Sequence, residues 1–229
     1  MTATHGCPLP APWAKALWRR LCVLPLLKIA GTTLGIAAFF VVYFWVMHNP
    51  LARPVTIPLT PVDRWIVASE LALLPYASLW LYVSLAPALS DGSSELLAYA
   101  KGAAIISVTG FVIYWFFPTA VPEFPTDWSR YPALEFLKSA DASGNAFPSL
   151  HVAFAAYTGA VIARQLRSVG APSWLRWTNR IWLVAIVYST LATRQHVLVD
   201  VIGGLLLAGF AICLSVLRER YPPPRQSSV

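Results

Sequence analysis

The stretch HVLVDVIGGLLLAGFAICLSVL, residues 196–217, decides the fold, because it is apolar almost throughout and long enough to cross a bilayer. A membrane-spanning helix needs about 20 mostly apolar residues. Only helices and closed barrels satisfy their backbone hydrogen bonds inside hydrocarbon. This run is continuously apolar rather than alternating, so it predicts a helix. Its two polar side chains near the entrance, His196 and Asp200, need a separate explanation.

Similar apolar stretches recur along the 229 residues, of which 57% are hydrophobic and only 12% are charged. Soluble domains carry about 25% charged residues. We therefore predict an all-α integral membrane bundle of six spans, with residues 1–28 as an N-terminal cytoplasmic segment, 29–218 as the membrane domain and 219–229 as a disordered tail. The predicted spans are Ile29–Met47, Trp65–Leu85, Leu96–Phe117, Pro148–Ile162, Trp177–Leu191 and Val197–Leu217.

The net charge of +7 predicts an orientation rather than a nucleic-acid partner, since most basic residues lie beside apolar runs. Cytoplasmic loops carry the excess of Lys and Arg. The basic residues expected inside are Lys15, Arg19, Arg20, Lys28, Arg164, Arg167, Arg176, Arg180, Arg218, Arg220 and Arg225. We thus expect a multi-pass plasma (inner) membrane protein with cytoplasmic termini. The connections His48–Arg64, Pro118–Phe147 and Thr193–His196 then face the periplasm or exterior.

The fourth predicted span opens with Pro148, Ser149, Leu150 and His151. Proline suits the first helical turn, and the free backbone N–H groups of that turn attract anions. Ser149 adds a hydroxyl group, and His151 can donate a proton to a bound oxygen. Taken alone, the motif also fits an ordinary helix start with a packed histidine.

The sixth span opens with His196 and Asp200, four residues apart and therefore on one helical face. A carboxylate beside an imidazole fixes its tautomer and directs the other nitrogen outwards. Ionisable side chains within a membrane span are functional candidates. The alternative is a self-satisfied polar pair that joins helices. Both histidine motifs fall on the same predicted membrane face, as a phosphate-handling site requires.

Together, the two motifs resemble those of the type-2 phosphatidic acid phosphatase superfamily, which contains membrane lipid phosphatases and lipid phosphotransferases. The resemblance is most specific over 147–151 and 189–200, and the Phe-Pro-Ser-Leu-His form is similar to the inositol phosphorylceramide synthase-like branch. It implies that His196 is a nucleophile forming a phosphohistidine, that Asp200 orients it and that His151 is the general acid. It further implies that Ser149 holds phosphate oxygens and that no metal or other cofactor is needed.

The chain departs from the family pattern at two cations. Thr190 stands where the family has an arginine, and Gly110 stands where a lysine is expected near the end of the third span. A doubly charged phosphate needs cations or preorganised donors in its transition state. The candidate phosphate-binding replacements are Arg194, Arg130 and Lys138.

Other polar residues admit plainer interpretations. Glu70 lies within the second predicted span and suits a hydrogen bond inside the bundle, or a proton or substrate contact. His48 and Asp63 border an outer loop and are expected to face water. The segment Tyr131–Ala140 is either a short interfacial helix or packed loop.

We expect a lipid phosphatase that acts on a lipid phosphate or diphosphate. A lipid phosphotransferase and a non-catalytic lipid-binding scaffold remain alternatives. The expected partners are a lipid phosphate substrate and membrane lipids, without nucleic acid. The sequence leaves the oligomeric state open.

Overall fold

Long helices joined at their ends by short connections make up most of the computed structural model, which describes residues 11–140 and 144–220. Ten α-helices lie in these ranges: α1 Pro12–Cys22, α2 Pro25–His48, α3 Pro61–Trp65, α4 Leu73–Ala77, α5 Leu79–Ala88, α6 Ser93–Phe116, α7 Pro132–Ala140, α8 Leu150–Ser168, α9 Ser173–Ala192 and α10 Leu198–Arg220. The predicted tail 219–229 thus shares its first two residues with α10. Residues 221–229 and Cys7 lie outside the described residues.

Four helical stretches are long and apolar enough to cross a membrane: Pro25–His48, Glu70–Ala88, Ser93–Phe116 and Leu198–Ser215. They confirm the prediction of an all-α membrane protein. The predicted fourth and fifth spans form α8 and α9, which are 19 and 20 residues long but are not among the four. The count of six spans therefore stays a prediction.

Helix α8 is less apolar than the four candidate spans, and it lies inside the bundle, packed against α5, α6, α9 and α10. Its buried polar side chains find partners inside the protein. Thr158 shares a hydrogen bond of 2.9 Å with the Tyr99 hydroxyl, and Gln165 donates to the Ala86 carbonyl at 2.9 Å. A helix shielded from lipid tolerates such groups once they are hydrogen-bonded.

The second predicted span begins later than expected. Trp65 belongs to the separate helix α3, and an extended segment separates it from a 3₁₀ turn at Glu70–Ala72 that leads into α4 and α5. Thr60 and Asp63 form the capping box that begins α3, and the extended backbone at Ile66 ends it. Apolar composition continues through this segment, but its backbone is not one continuous helix.

Two connections, from α2 to α3 and from α6 to α8, meet at one end of the bundle. Strand β1 (Val55–Thr56) pairs in parallel with β2 (Thr119–Ala120), and Thr119 also bridges to Asn145. The Thr119 Oγ1 accepts a 2.8 Å hydrogen bond from the Phe147 backbone. These contacts attach the loop before α8 to the connection between α2 and α3. The Ser149 N–H also donates to the Asp200 carbonyl, so both histidine motifs lie at the same end, as predicted.

Two glycines allow the beginnings of α8 and α10 to cross closely. A Cβ on Gly203 would lie 2.3 Å from the Phe147 ring, and a Cβ on Gly204 would lie 2.5 Å from the Ser149 carbonyl oxygen. Any larger residue would push the helices apart. This crossing sets the separation between the two motifs.

Candidate active site

Ser149 is the N-cap of α8 and is fully buried. Its Oγ accepts a hydrogen bond from the Val152 backbone at 3.3 Å, while its own backbone N–H donates to the Asp200 carbonyl at 3.0 Å. Asp200 belongs to the first turn of α10, so this second bond joins the two motifs directly. A hydroxyl that accepts a bond still carries a proton to donate. Ser149 can therefore cap the helix and donate to an anion.

The His151 imidazole stacks on the Tyr76 ring, with centroids 4.1 Å apart and planes inclined by 15°. Its Nε2 lies 3.0 Å from the Tyr76 carbonyl oxygen. A carbonyl only accepts, so Nε2 carries a proton and Nδ1 is the nitrogen left for a substrate. Sequence reasoning missed Tyr76, because an aromatic residue in an apolar span looks like ordinary packing.

His196 lies in the turn before α10 with only 9% of its surface exposed, and Asp200 is fully buried. Their closest atoms, Nδ1 and Oδ2, are 3.4 Å apart, which suits an ion pair when the imidazole is protonated. The contact lacks hydrogen-bond geometry, so that Nδ1 has no hydrogen-bond partner among the described residues. Catalytic hydrogen bonds commonly tighten when substrate binds. The predicted pair is present and leaves Nε2 as the outward nitrogen.

Backbone contacts hold this turn in place. The His196 N–H donates to the Thr190 carbonyl at 3.1 Å, and Asp200 Oδ2 accepts from the Val197 N–H at 2.9 Å. His151 lies two residues after Ser149, so the bond from the Ser149 N–H to the Asp200 carbonyl brings its turn of α8 against the turn that carries His196. The structure thus brings together His151, His196, Asp200 and Ser149 from two distant stretches of chain.

The expectation that Asp63 faces water is wrong, because only 1% of its surface is exposed. Its Oδ1 accepts a hydrogen bond from the Leu198 N–H at 2.8 Å, at the first residue of α10. Its Oδ2 accepts from the Thr60 N–H at 2.8 Å and from the Thr60 Oγ1 at 2.7 Å. Asp63 thereby supports the start of the helix that carries Asp200. The Thr-x-x-Asp capping pattern was the available signal.

Arg194 lies two residues before His196 in a left-handed conformation, with φ of 60°. Its guanidinium donates to the carbonyls of Asp63 at 2.9 Å and Ile66 at 2.6 Å, and lies 4.1 Å over the Phe124 ring. Burial lowers the pKa of Arg194, and the negative charge of Asp63 opposes this shift. Within the described residues its Nε has no partner. Arg194 therefore fastens the turn before α10 to α3 and retains one N–H for a ligand.

The other two candidate phosphate-binding cations have partners within the connection between α6 and α8. Arg130 is exposed and pairs with Asp127 at 3.2 Å. The Lys138 ammonium lies 4.7 Å from the centre of the Trp128 ring. Neither contact joins these cations to the histidine pair.

Gly110, where the family pattern has a lysine, is buried against the first motif. A Cβ there would lie 2.4 Å from Leu150 Cδ2. The packing of Leu150 against Gly110 therefore leaves no space for a side chain at this position. A cation that takes the place of the family's lysine would have to lie outside α6.

Helix α7 bears on two of the sequence expectations. The segment predicted as interfacial helix or loop is helical over Pro132–Ala140. Glu70 Oε1 accepts a hydrogen bond from the Ala133 N–H at 2.9 Å, in the first turn of that helix. A carboxylate at a helix N-terminus also interacts favourably with the helix dipole. Glu70 thus anchors α7 over the bundle.

Among the residues that the structure describes, no group of three or more His, Cys, Asp or Glu side chains is placed to hold a metal ion. Searches of curated proteins and of solved structures found no significant match. The sequence profile of the PAP2 superfamily matches residues 62–214, which include α3, both histidine motifs and most of α10. With two helix entrances joined around a His-Asp pair and a second histidine, and with two thirds of its length matched, the chain belongs to the PAP2 superfamily.

Proposed function

We propose that this protein is a metal-independent membrane phosphatase that hydrolyses a lipid phosphate or diphosphate through a phosphohistidine intermediate. Membership of the PAP2 superfamily supports phosphatase or phosphotransferase chemistry on lipid phosphates in general. The observation that carries the specific proposal is the junction of α8 and α10. There the His196–Asp200 pair and His151 meet through the Ser149–Asp200 backbone bond.

In the first step, the lone pair of His196 Nε2 attacks phosphorus, and the bond from phosphorus to the leaving oxygen breaks. The carboxylate of Asp200, 3.4 Å from Nδ1, stabilises the positive charge that develops on the imidazole. The leaving oxygen takes a proton from Nδ1 of protonated His151, since Nε2 is held by the Tyr76 carbonyl. Ser149 and the free N–H groups of the first turn of α8 donate to the phosphate oxygens.

In the second step, water attacks phosphorus while neutral His151 accepts its proton. The phosphorus–nitrogen bond breaks, phosphate leaves, and His196 returns to its neutral form. If the hydroxyl group of another lipid or polyol replaces water, the same sequence transfers the phosphoryl-bearing group. We propose hydrolysis because it requires only water as the second reactant.

The site uses fewer fixed cations than the family pattern. The buried Nε–H of Arg194, two residues from His196, is the cationic donor that we assign to the phosphate. We also propose that the histidine end faces the periplasm or exterior and that the termini face the cytoplasm.

Phosphate release from a lipid phosphate by the purified full-length protein tests the enzymatic role. His196→Ala should reduce release by about 10³-fold or more. His48→Ala is the matched control, since His48 lies exposed at the same end and its Nδ1 lies 2.7 Å from the Phe44 carbonyl of its own helix. Equal release by the wild type and His196→Ala would remove the catalytic assignment. A labelled new lipid formed without free phosphate would replace hydrolysis with transfer.

The proposed orientation has its own test in intact cells. A membrane-impermeant thiol reagent should label Ser129→Cys on the outer loop, whereas Cys22, exposed at the opposite end, should react only after permeabilisation. The reverse order of labelling would invert the topology.

A further inference from the structure

A basic cleft lies at the end of the bundle opposite the histidines, between the last turns of α8 and the first turns of α9. Its volume is about 230 Å³. The residues that line it are Ala163, Arg167, Ser173, Arg176, Trp177 and Arg180. We call it the arginine cleft. It lies a full helix length from the candidate active site, so phosphoryl transfer does not account for it.

The three guanidinium groups of the arginine cleft have no acidic partner among the described residues. In contrast, two arginines of α1 that are expected on the same side of the membrane have acidic partners. Arg19 and Arg20 both pair with Asp91, and Arg20 also contacts Glu95. Like charges confined to one cleft repel each other. An anion bound between them would relieve this repulsion.

Helix α9 adds a second, independent attraction for an anion. Its N-cap is Pro172, which makes no side-chain capping bond, and its first turn contains no acidic residue. The unpaired N–H groups at a helix start carry partial positive charge. Ser173, the first residue of the helix, lines the cleft and offers a hydroxyl group.

The surroundings of the cleft indicate that the anion is part of a lipid. Trp174 and Trp177 are exposed, and the next turns of α9 present exposed Ile181 and Val184. Tryptophan marks the level of the headgroups, with apolar side chains facing the acyl chains beyond it. The Arg180 guanidinium lies 4.7 Å over the Trp177 ring, which holds its charge at that level.

We propose that the arginine cleft is a binding site for the phosphate headgroup of an anionic phospholipid, separate from the site of catalysis. The three arginines and the start of α9 would hold the phosphate, while the acyl chains lie along the apolar face of α9. The proposal stands whether or not the protein hydrolyses lipid phosphates.

Native mass spectrometry of the full-length protein in detergent tests this site with phosphatidylglycerol as the probe and phosphatidylcholine as the neutral comparison. The wild type should retain phosphatidylglycerol preferentially. A basic residue near an anionic lipid surface strengthens binding by about fivefold, so Arg167→Gln, Arg176→Gln and Arg180→Gln together should weaken retention by roughly a hundredfold. Arg176→Gln alone, which leaves the Arg180–Trp177 contact in place, should weaken it by about fivefold.

The matched control removes three exposed cations outside the cleft, through Lys15→Gln, Arg53→Gln and Lys101→Gln. This variant has the same net charge as the cleft variant and should retain phosphatidylglycerol like the wild type. Equal weakening in both triple variants would show that overall charge, not the cleft, attracts the lipid. Displacement by inorganic phosphate alone would identify the ligand as a free anion and overturn the lipid assignment.

Discussion

Replacement of Gly204 by alanine tests whether the close crossing of α8 and α10 sets the catalytic geometry. The added Cβ would lie 2.5 Å from the Ser149 carbonyl oxygen and 3.0 Å from the Val152 Cβ. Both neighbours belong to the first turn of α8, and the oxygen is a backbone atom that cannot move by side-chain rotation. The strain must therefore separate the helices.

The size of the separation follows from the contact. Ordinary van der Waals contact begins at about 3.4 Å, so the helices must move apart by about 0.9 Å. That movement would lengthen the 3.0 Å bond from the Ser149 N–H to the Asp200 carbonyl, and would displace His151 from His196. A misplacement of about 1 Å between reacting groups costs about a hundredfold in rate.

The assay is kcat/KM for phosphate release from a lipid phosphate in detergent micelles. Gly209→Ala is the matched control on the same helix, because a Cβ at that position meets no atom within 4 Å. We expect Gly204→Ala to lose about a hundredfold in kcat/KM, and Gly209→Ala to match the wild type. Both should elute as folded protein with unchanged helical content.

A folded Gly204→Ala protein with the same kcat/KM as Gly209→Ala would refute this reasoning. The distance between α8 and α10 would then not control the reaction. A loss of the same size in Gly209→Ala would also refute it, because the effect would arise from α10 itself rather than from the crossing.

Three further predictions concern buried charges around the site. Asp63→Ala leaves the Leu198 and Thr60 N–H groups without their carboxylate partner, so we expect about 3 kcal/mol loss of unfolding free energy in detergent; an unchanged unfolding midpoint would contradict the supporting role. Asp200→Asn should lower kcat by about 10²-fold to 10⁴-fold while the protein stays folded, and wild-type turnover in this variant would contradict an orienting carboxylate. His151→Ala should slow turnover most for substrates with poor leaving groups, and equal slowing for good and poor leaving groups would contradict a general acid at this position.

The long apolar stretches predicted the class of fold correctly because lipid-facing helices must be apolar along their whole length. Apolar composition is a weaker signal for α8, which lies inside the bundle. There Thr158 and the Gln165 amide nitrogen form hydrogen bonds with neighbouring helices. Composition also could not show that Trp65 and Glu70 belong to separate helices. The backbone is extended at Ile66, whose carbonyl accepts a 2.6 Å hydrogen bond from Arg194, and this contact joins parts of the chain that are distant in sequence.

The meeting of His151, His196 and Asp200 at one helix crossing was predictable, because each motif places ionisable side chains at a helix entrance; their catalytic roles stay a prediction. Tyr76 and Asp63 were not recognised as site residues, because their roles depend on contacts with chain segments more than 70 residues away. Arg194 was identified from its nearness to His196 in sequence. Its commitment to the carbonyls of Asp63 and Ile66 follows from a loop conformation that sequence spacing does not determine.

The proposed mechanism requires His196 to form a covalent bond to phosphorus beside His151. Rapid quenching of the full-length protein with a radiolabelled lipid phosphate, followed by peptide mapping under alkaline conditions that preserve phosphohistidine, measures this directly. We predict label on the peptide containing His196, absent in His196→Ala and retained in His48→Ala. Turnover without protein-bound label, or with label on another residue, would contradict the account.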